Sequence, residues 1–147
     1  MHTGNSILIR APRERIFDIV SDLSRWTEHL PHYRYVRSLG KDGERDIVAM
    51  SARRGSIPVS WVSTYYADRE TLELHFEHIR KWTRGMIVVW KLNDTRDGTR
   101  VEIIHDLRFR FRPLAWFAEP IIASFVAAIA GKTLATFKEI IEREDGR

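Results

Sequence analysis

Four side chains stand out because they are polar or titratable on strand faces that are otherwise apolar: Ser63, Tyr65, His78 and His105. Over residues 57–66 the alternation Ile57, Val59, Trp61, Ser63, Tyr65 puts two hydroxyls among apolar neighbours on one face. His78 closes the series Leu72, Leu74, Phe76, and His105 interrupts Val101, Ile103, Leu107, Phe109, Phe111. A polar group on a buried face needs a partner or a cavity. A hydroxyl can donate a hydrogen bond to a ketone oxygen or an oxyanion, and an imidazole titrating near neutral pH can move a proton. Each group also has an ordinary structural use: Tyr65 bonded to backbone or to a neighbouring helix, each histidine satisfied inside a core. The chain has no cysteine, which excludes thiolate nucleophiles, disulfides and cysteine metal sites. No histidine–carboxylate set has metal-ligand spacing, so neither a metal nor a cofactor is expected.

The elements that must position these residues follow from periodicity. Residues 3–10 read as a strand. Pro12 opens a helix with the stripe Ile16, Phe17, Val20, and Asp22 or Ser24 caps a second short helix, 23–29, carrying Trp26. Six period-2 segments follow, at 33–39, 46–53, 57–66, 72–78, 86–92 and 100–112, each bounded by turn residues such as Gly40-Lys41-Asp42-Gly43. Pro113 to Glu144 then reads as one long helix, or a short helix running into a long one, with the stripe Leu114, Phe117, Ile121, Phe125, Ile129, Thr133, Phe137, Ile140, Ile141 and a break or kink expected at Pro120. A helix this long cannot bury its stripe on itself. An antiparallel sheet with short connections curls, and the helix can lie across its concave side. That arrangement leaves a cavity whose candidate lining includes Trp61, Tyr65, Trp90, Phe76 and Tyr33 from the strands and Phe125 from the helix.

At 147 residues, 44% hydrophobic and 30% charged, the chain reads as one globular domain spanning 1–147. The N-terminal residues lack an apolar core of signal-peptide length, so a cytoplasmic location is expected. The apolar stretch 114–131 contains Glu119 and Pro120 and continues into an amphipathic segment, which argues against a membrane span. A formal charge of +4 favours acidic partners in general. No zinc-finger spacing or recognition-helix pattern points to nucleic acid.

The element order, together with IRAPRERIFDIVSDLSRWTEHLPHY, SWVSTYYAD, MIVVWKL and DGTRVEIIHDLRFR, resembles the START-like and Bet v 1-like helix-grip superfamily. Within it the chain is similar to the aromatase/cyclase (polyketide cyclase/dehydrase) branch. The resemblance covers nearly the whole chain. It implies an α+β helix-grip fold, β-α-α-β6-α, in which a curved seven-stranded antiparallel sheet wraps a long C-terminal helix around an internal cavity. It further implies that Trp26 and Tyr33, seven residues apart, stand at the pocket, and that a strand of the form Trp-x-Ser-x-Arg lines it. Here that strand supplies Trp61 and Ser63, with Tyr65 in the arginine position; Trp90 matches a further family tryptophan, and a second family arginine falls near Glu77 or His78. A guanidinium can hold an enolate at any working pH, whereas a tyrosine hydroxyl supplies one hydrogen bond and no charge.

Three readings follow. The first is a cyclase-like enzyme acting on a hydrophobic, aromatic or polyketide-like molecule, in which Tyr65, Tyr33 and Ser63 orient oxygens and His78 or His105 moves protons. The second is a non-catalytic carrier of a lipid or isoprenoid quinone, and the third is an interaction module with a filled core. The arginines 108, 110 and 112, with Arg80, Lys81 and Arg84, form either a solvated face or a docking surface for an acidic acyl carrier protein or anionic lipid headgroups. The apolar outer side of Ile121–Ala130 would suit a peripheral membrane contact or a homodimer; a monomer is equally compatible.

Overall fold

The computed structural model describes residues 1–108 and 112–146. Its strands are β1 (His2–Ile9), β2 (Tyr33–Asp42), β3 (Arg45–Arg54), β4 (Ile57–Asp68), β5 (Glu73–His78), β6 (Ile87–Thr95) and β7 (Gly98–Asp106). They form one seven-stranded sheet in the order β1-β7-β6-β5-β4-β3-β2. Every pairing is antiparallel. Between β1 and β2 lie α1 (Arg13–Val20), a 3-10 turn over Leu23–Arg25, and α2 (Trp26–His29); α3 (Arg112–Gly146) closes the chain. The curved antiparallel sheet and long C-terminal helix expected from the sequence are both present.

Alternation does the work in the sheet. On β5 and β6, Leu74, Phe76 and His78, then Val88, Trp90 and Leu92, are buried, as the period-2 pattern requires. Asp22 accepts a hydrogen bond from the Ser24 backbone N–H at 3.2 Å, capping the 3-10 turn, and Trp26 then enters the core with its indole N–H donating to the Val20 carbonyl at 2.9 Å. Gly98 begins β7 at φ +149°, and a Cβ there would lie 2.5 Å from the Ile9 carbonyl oxygen, so glycine lets the β6–β7 hairpin close against β1.

Two expectations are corrected. The last strand ends at Asp106 rather than at Arg112, because its partners run out: Asp106 faces His2 on one side and Ile87 on the other, where β1 and β6 begin. Leu107 adds one more bond, from its N–H to the Met1 carbonyl at 2.8 Å. Phe109, Arg110 and Phe111 lie outside the described residues, as do the side chains of Arg112 and Leu114. The long helix, in turn, runs unbroken through Pro120, so of the break or kink expected there the break does not occur. A proline removes one i to i−4 bond, here to the Trp116 carbonyl, and that turn is exposed, so water can take the freed group.

The helical stripe is also shorter than the periodicity implied. Ile129, Ala130, Thr133, Leu134, Phe137 and Ile141 are buried, whereas Phe117 and Ile121 are exposed. The C-terminal half packs directly on the fold, whereas Ile121, Ile122, Phe125 and Val126 of the N-terminal half stand over an open space between helix and sheet.

Candidate functional site

Between the inner face of the sheet and the middle of α3 lies a cavity of about 360 Å³. Its walls are aromatic and aliphatic. Trp26 sits at the centre of a ring cluster, with Tyr33 at 5.2 Å, Trp90 at 5.6 Å and Phe137 at 5.9 Å between centroids. Edge-to-face and tilted contacts of this kind hold side chains in single rotamers and fix the shape of the wall. Trp61 of β4 and Phe76 of β5 continue it, and Phe125, Val126 and Ile129 of α3 form the roof.

The polar groups in this lining are few, and nearly all are neutral. The ring of His78 stacks on Trp61 at 5.9 Å with 4° between planes, and its Nδ1 lies 2.7 Å from the Thr83 hydroxyl. Burial, with His105 adding its electrostatic effect, depresses the His78 pKa to about 3. Burial likewise depresses His105 to about 4, and its Nδ1 is buried without a hydrogen-bond partner. Both imidazoles are therefore uncharged at neutral pH. Burial raises the Tyr33 pKa, so its hydroxyl stays protonated. Thr133 donates to the Ile129 carbonyl at 2.7 Å and lies 2.9 Å from His32 Nε2. Lys81 is the one charged side chain among the described lining residues; it is exposed, in the 3-10 turn Lys81–Thr83 that links β5 to β6. Its backbone is left-handed, at φ +60°.

The structure thus brings together Trp26, Tyr33, Trp61, Phe76, His78, Trp90, His105 and Phe125 around one space. Ser63 and Tyr65 are not part of its lining. The Tyr65 hydroxyl donates to the Ser21 carbonyl at 2.6 Å, tying the end of α1 to β4. Burial, followed by the charges of Asp46 and Asp22, raises the Tyr65 pKa. Ser63 is fully buried opposite His78 in the β4–β5 register, with its hydroxyl unpartnered. Sequence reasoning missed Trp82 and Thr83, because the basic loop around them reads as solvated. The available signal was a tryptophan inside that loop. It also missed Met50, Met86 and Ile103, which look like any other core residue. Among the described residues no cluster of three or more histidines or carboxylates is arranged to hold a metal ion.

Comparisons with known proteins agree with this architecture. The family described as polyketide cyclase / dehydrase and lipid transport matches residues 9–130. A Streptomyces cyaneus protein named "Putative polyketide cyclase" is 30% identical over 112 residues, covering 74% of each chain. Among solved structures, the Zhui aromatase/cyclase from Streptomyces sp. R1128 superposes with a TM-score of 0.82 at 13% identity, over 99% of this chain and 95% of that one. A START superfamily protein from Mycobacterium smegmatis gives 0.71 at 10% identity, over 95% and 98%. At these identities the structural likeness is one of fold.

Proposed function

The chain belongs to the polyketide cyclase / dehydrase and lipid transport family, and from that premise we propose that its cavity holds a hydrophobic, polyketide-like molecule and steers its ring closure. The observation that carries the reading is the pairing of aromatic walls with two neutral imidazoles, His78 and His105, in one lining. Such a site suits a ligand that is mostly apolar and bears a few carbonyl or hydroxyl oxygens. A charged ligand group deep in the cavity would be stranded, since the one charged side chain among the described lining residues, Lys81, is exposed.

Ring closure of a poly-β-ketone forms a carbon–carbon bond between a methylene and a ketone of the same chain. The methylene proton ends on the ketone oxygen, and loss of water then gives the aromatic ring. Rigid walls favour this step by limiting the chain to folded conformers, which is a proximity effect. In this reading His105 bonds the reacting oxygen. His78, held by Thr83 and Trp61, relays protons, and the protonated Tyr33 hydroxyl donates to a second oxygen. An imidazole with a depressed pKa is a weak base, so shape contributes more than proton transfer. Tyr65, in the position of the family arginine, acts on the fold through Ser21.

The test is incubation with a linear poly-β-ketone thioester, with products separated from those of spontaneous cyclisation. The wild-type chain should redirect the mixture, and His105→Phe should return it to the spontaneous one with folding intact. A mixture unchanged by the wild-type protein would sink the catalytic reading. The absence of arginine and carboxylate from the described lining favours a second reading, a carrier for an uncharged hydrophobic ligand. Solvent extraction of the purified protein, yielding a lipid or quinone at near one per chain, would establish that alternative.

A further inference from the structure

The mouth of the cavity is built differently from its interior. Trp82 in the turn after β5 and Ile121 on α3 both line it, yet they are 73% and 61% exposed. One turn before Ile121 stands Phe117, 68% exposed, with Trp116 beside it, 78% exposed and packed edge-on against its ring at 5.2 Å. Large apolar side chains this bare, gathered at one place, are uncommon on a surface that meets only water. Three of the four, Trp116, Phe117 and Ile121, lie on the N-terminal half of α3, and Trp82 lies on the turn across the cavity mouth from it.

Positive charge lies beside the mouth on both the turn and the helix side. Arg80 and Arg84 flank the turn that carries Trp82, and Lys81 lies within it. Arg54 stands over the Phe125 ring at 5.1 Å and hydrogen-bonds Ser124 on α3. No carboxylate occurs between Glu77 and Asp94 in the sequence, and Glu119, on the N-terminal half of the helix, lies 3.5 Å from the Met1 ammonium.

We propose that this mouth docks on an anionic lipid bilayer, with Trp82, Trp116, Phe117 and Ile121 in the interfacial layer and the surrounding cations against the headgroups. The chemistry fits both partners of such a contact. Tryptophan rings favour the boundary between headgroup and acyl chain, and nearby cations are drawn to the negative surface potential. The helix does not span the bilayer, because Leu134, Phe137 and Ile141 of its C-terminal half are buried against the fold. A docked mouth opens the cavity to the apolar phase, so that a hydrophobic ligand passes between them without crossing water. An acidic carrier protein would match the cations but would not require four bare apolar side chains at the centre.

The experiment is co-sedimentation with vesicles of phosphatidylcholine alone or with about one-third phosphatidylglycerol, read together with quenching of tryptophan emission by brominated lipid. Binding to the anionic vesicles should exceed binding to the neutral ones by about tenfold and fall as salt rises. Trp116→Ser with Phe117→Ser, and separately Arg80→Glu with Arg84→Glu, should each weaken it by about tenfold or more. These positions lie outside the cavity lining, so titration of a hydrophobic ligand into the cavity should be unchanged. That separates failure here from failure of the proposed function. Absence of vesicle binding at low salt, equal binding by the variants, or binding indifferent to lipid charge would overturn the proposal. So would capture of a purified acyl carrier protein by this face in place of vesicles.

Discussion

Acid should unfold this protein through its buried imidazoles, and the size of the effect can be worked out. His78 and His105 have folded-state pKa values near 3 and 4, set by burial, against an ordinary value of 6.5. Between those limits the unfolded chain binds more protons than the folded one. Stability therefore rises with pH: the contribution is complete above about pH 6.5 and is lost as pH falls toward the folded-state values. Each group costs about 1.4 kcal/mol for every pH unit below its unfolded pKa. From about pH 6.5 to about pH 4.5 that is roughly 2–3 kcal/mol apiece, or about 5 kcal/mol together, a large share of the stability of a domain this size. Carboxylates also titrate at the lower end, so the comparison must be with a variant. His78→Gln with His105→Gln keeps polar side chains and removes both titrations. Urea unfolding across this range should show the wild type losing about 5 kcal/mol more than the double variant. The imidazole proton resonances of His78 and His105 should stay in the neutral form down to about pH 4.5. Equal slopes for the two proteins, or an imidazole titrating near 6.5, would show that the two rings are solvated in solution and refute the reasoning.

Tyr65→Phe removes the hydrogen bond to the Ser21 carbonyl and should cost about 1–2 kcal/mol in chemical denaturation, with no change in affinity for a hydrophobic ligand; lost turnover in a fully folded variant would return Tyr65 to the chemistry. Gly98→Ala sets a Cβ against the Ile9 carbonyl in a backbone conformation that suits glycine, so its thermal midpoint should drop by several degrees, corresponding to about 1–3 kcal/mol. Val126→Trp adds bulk to the cavity roof and should cut binding of a polycyclic aromatic probe by about tenfold or more, measured by quenching of the buried tryptophans, while the circular dichroism spectrum is retained.

Much of the architecture was legible in the chain because the physical signals are local. Period-2 alternation in 72–78 and 86–92 fixed which side chains of β5 and β6 face inward, and both faces are buried as the pattern required. The Asp22 cap and the proline before α1 marked helix starts through hydrogen bonding and a preset φ. That Trp26, Tyr33, Trp61 and Trp90 share one wall followed from the family resemblance together with their inward positions. Tertiary structure alone decided the rest. Tyr65 and His105 look alike in the alternation, since both are polar positions on apolar faces. Only the placement of α1 brings the Ser21 carbonyl to Tyr65, and only the lie of α3 sets a cavity beside His105. The end of β7 depended on where β1 and β6 begin, and the bare residues of α3 on how the helix stands off the sheet where the cavity lies. A sequence period records which way a side chain points. What it meets there is set by elements distant in the chain, whose relative positions come from packing.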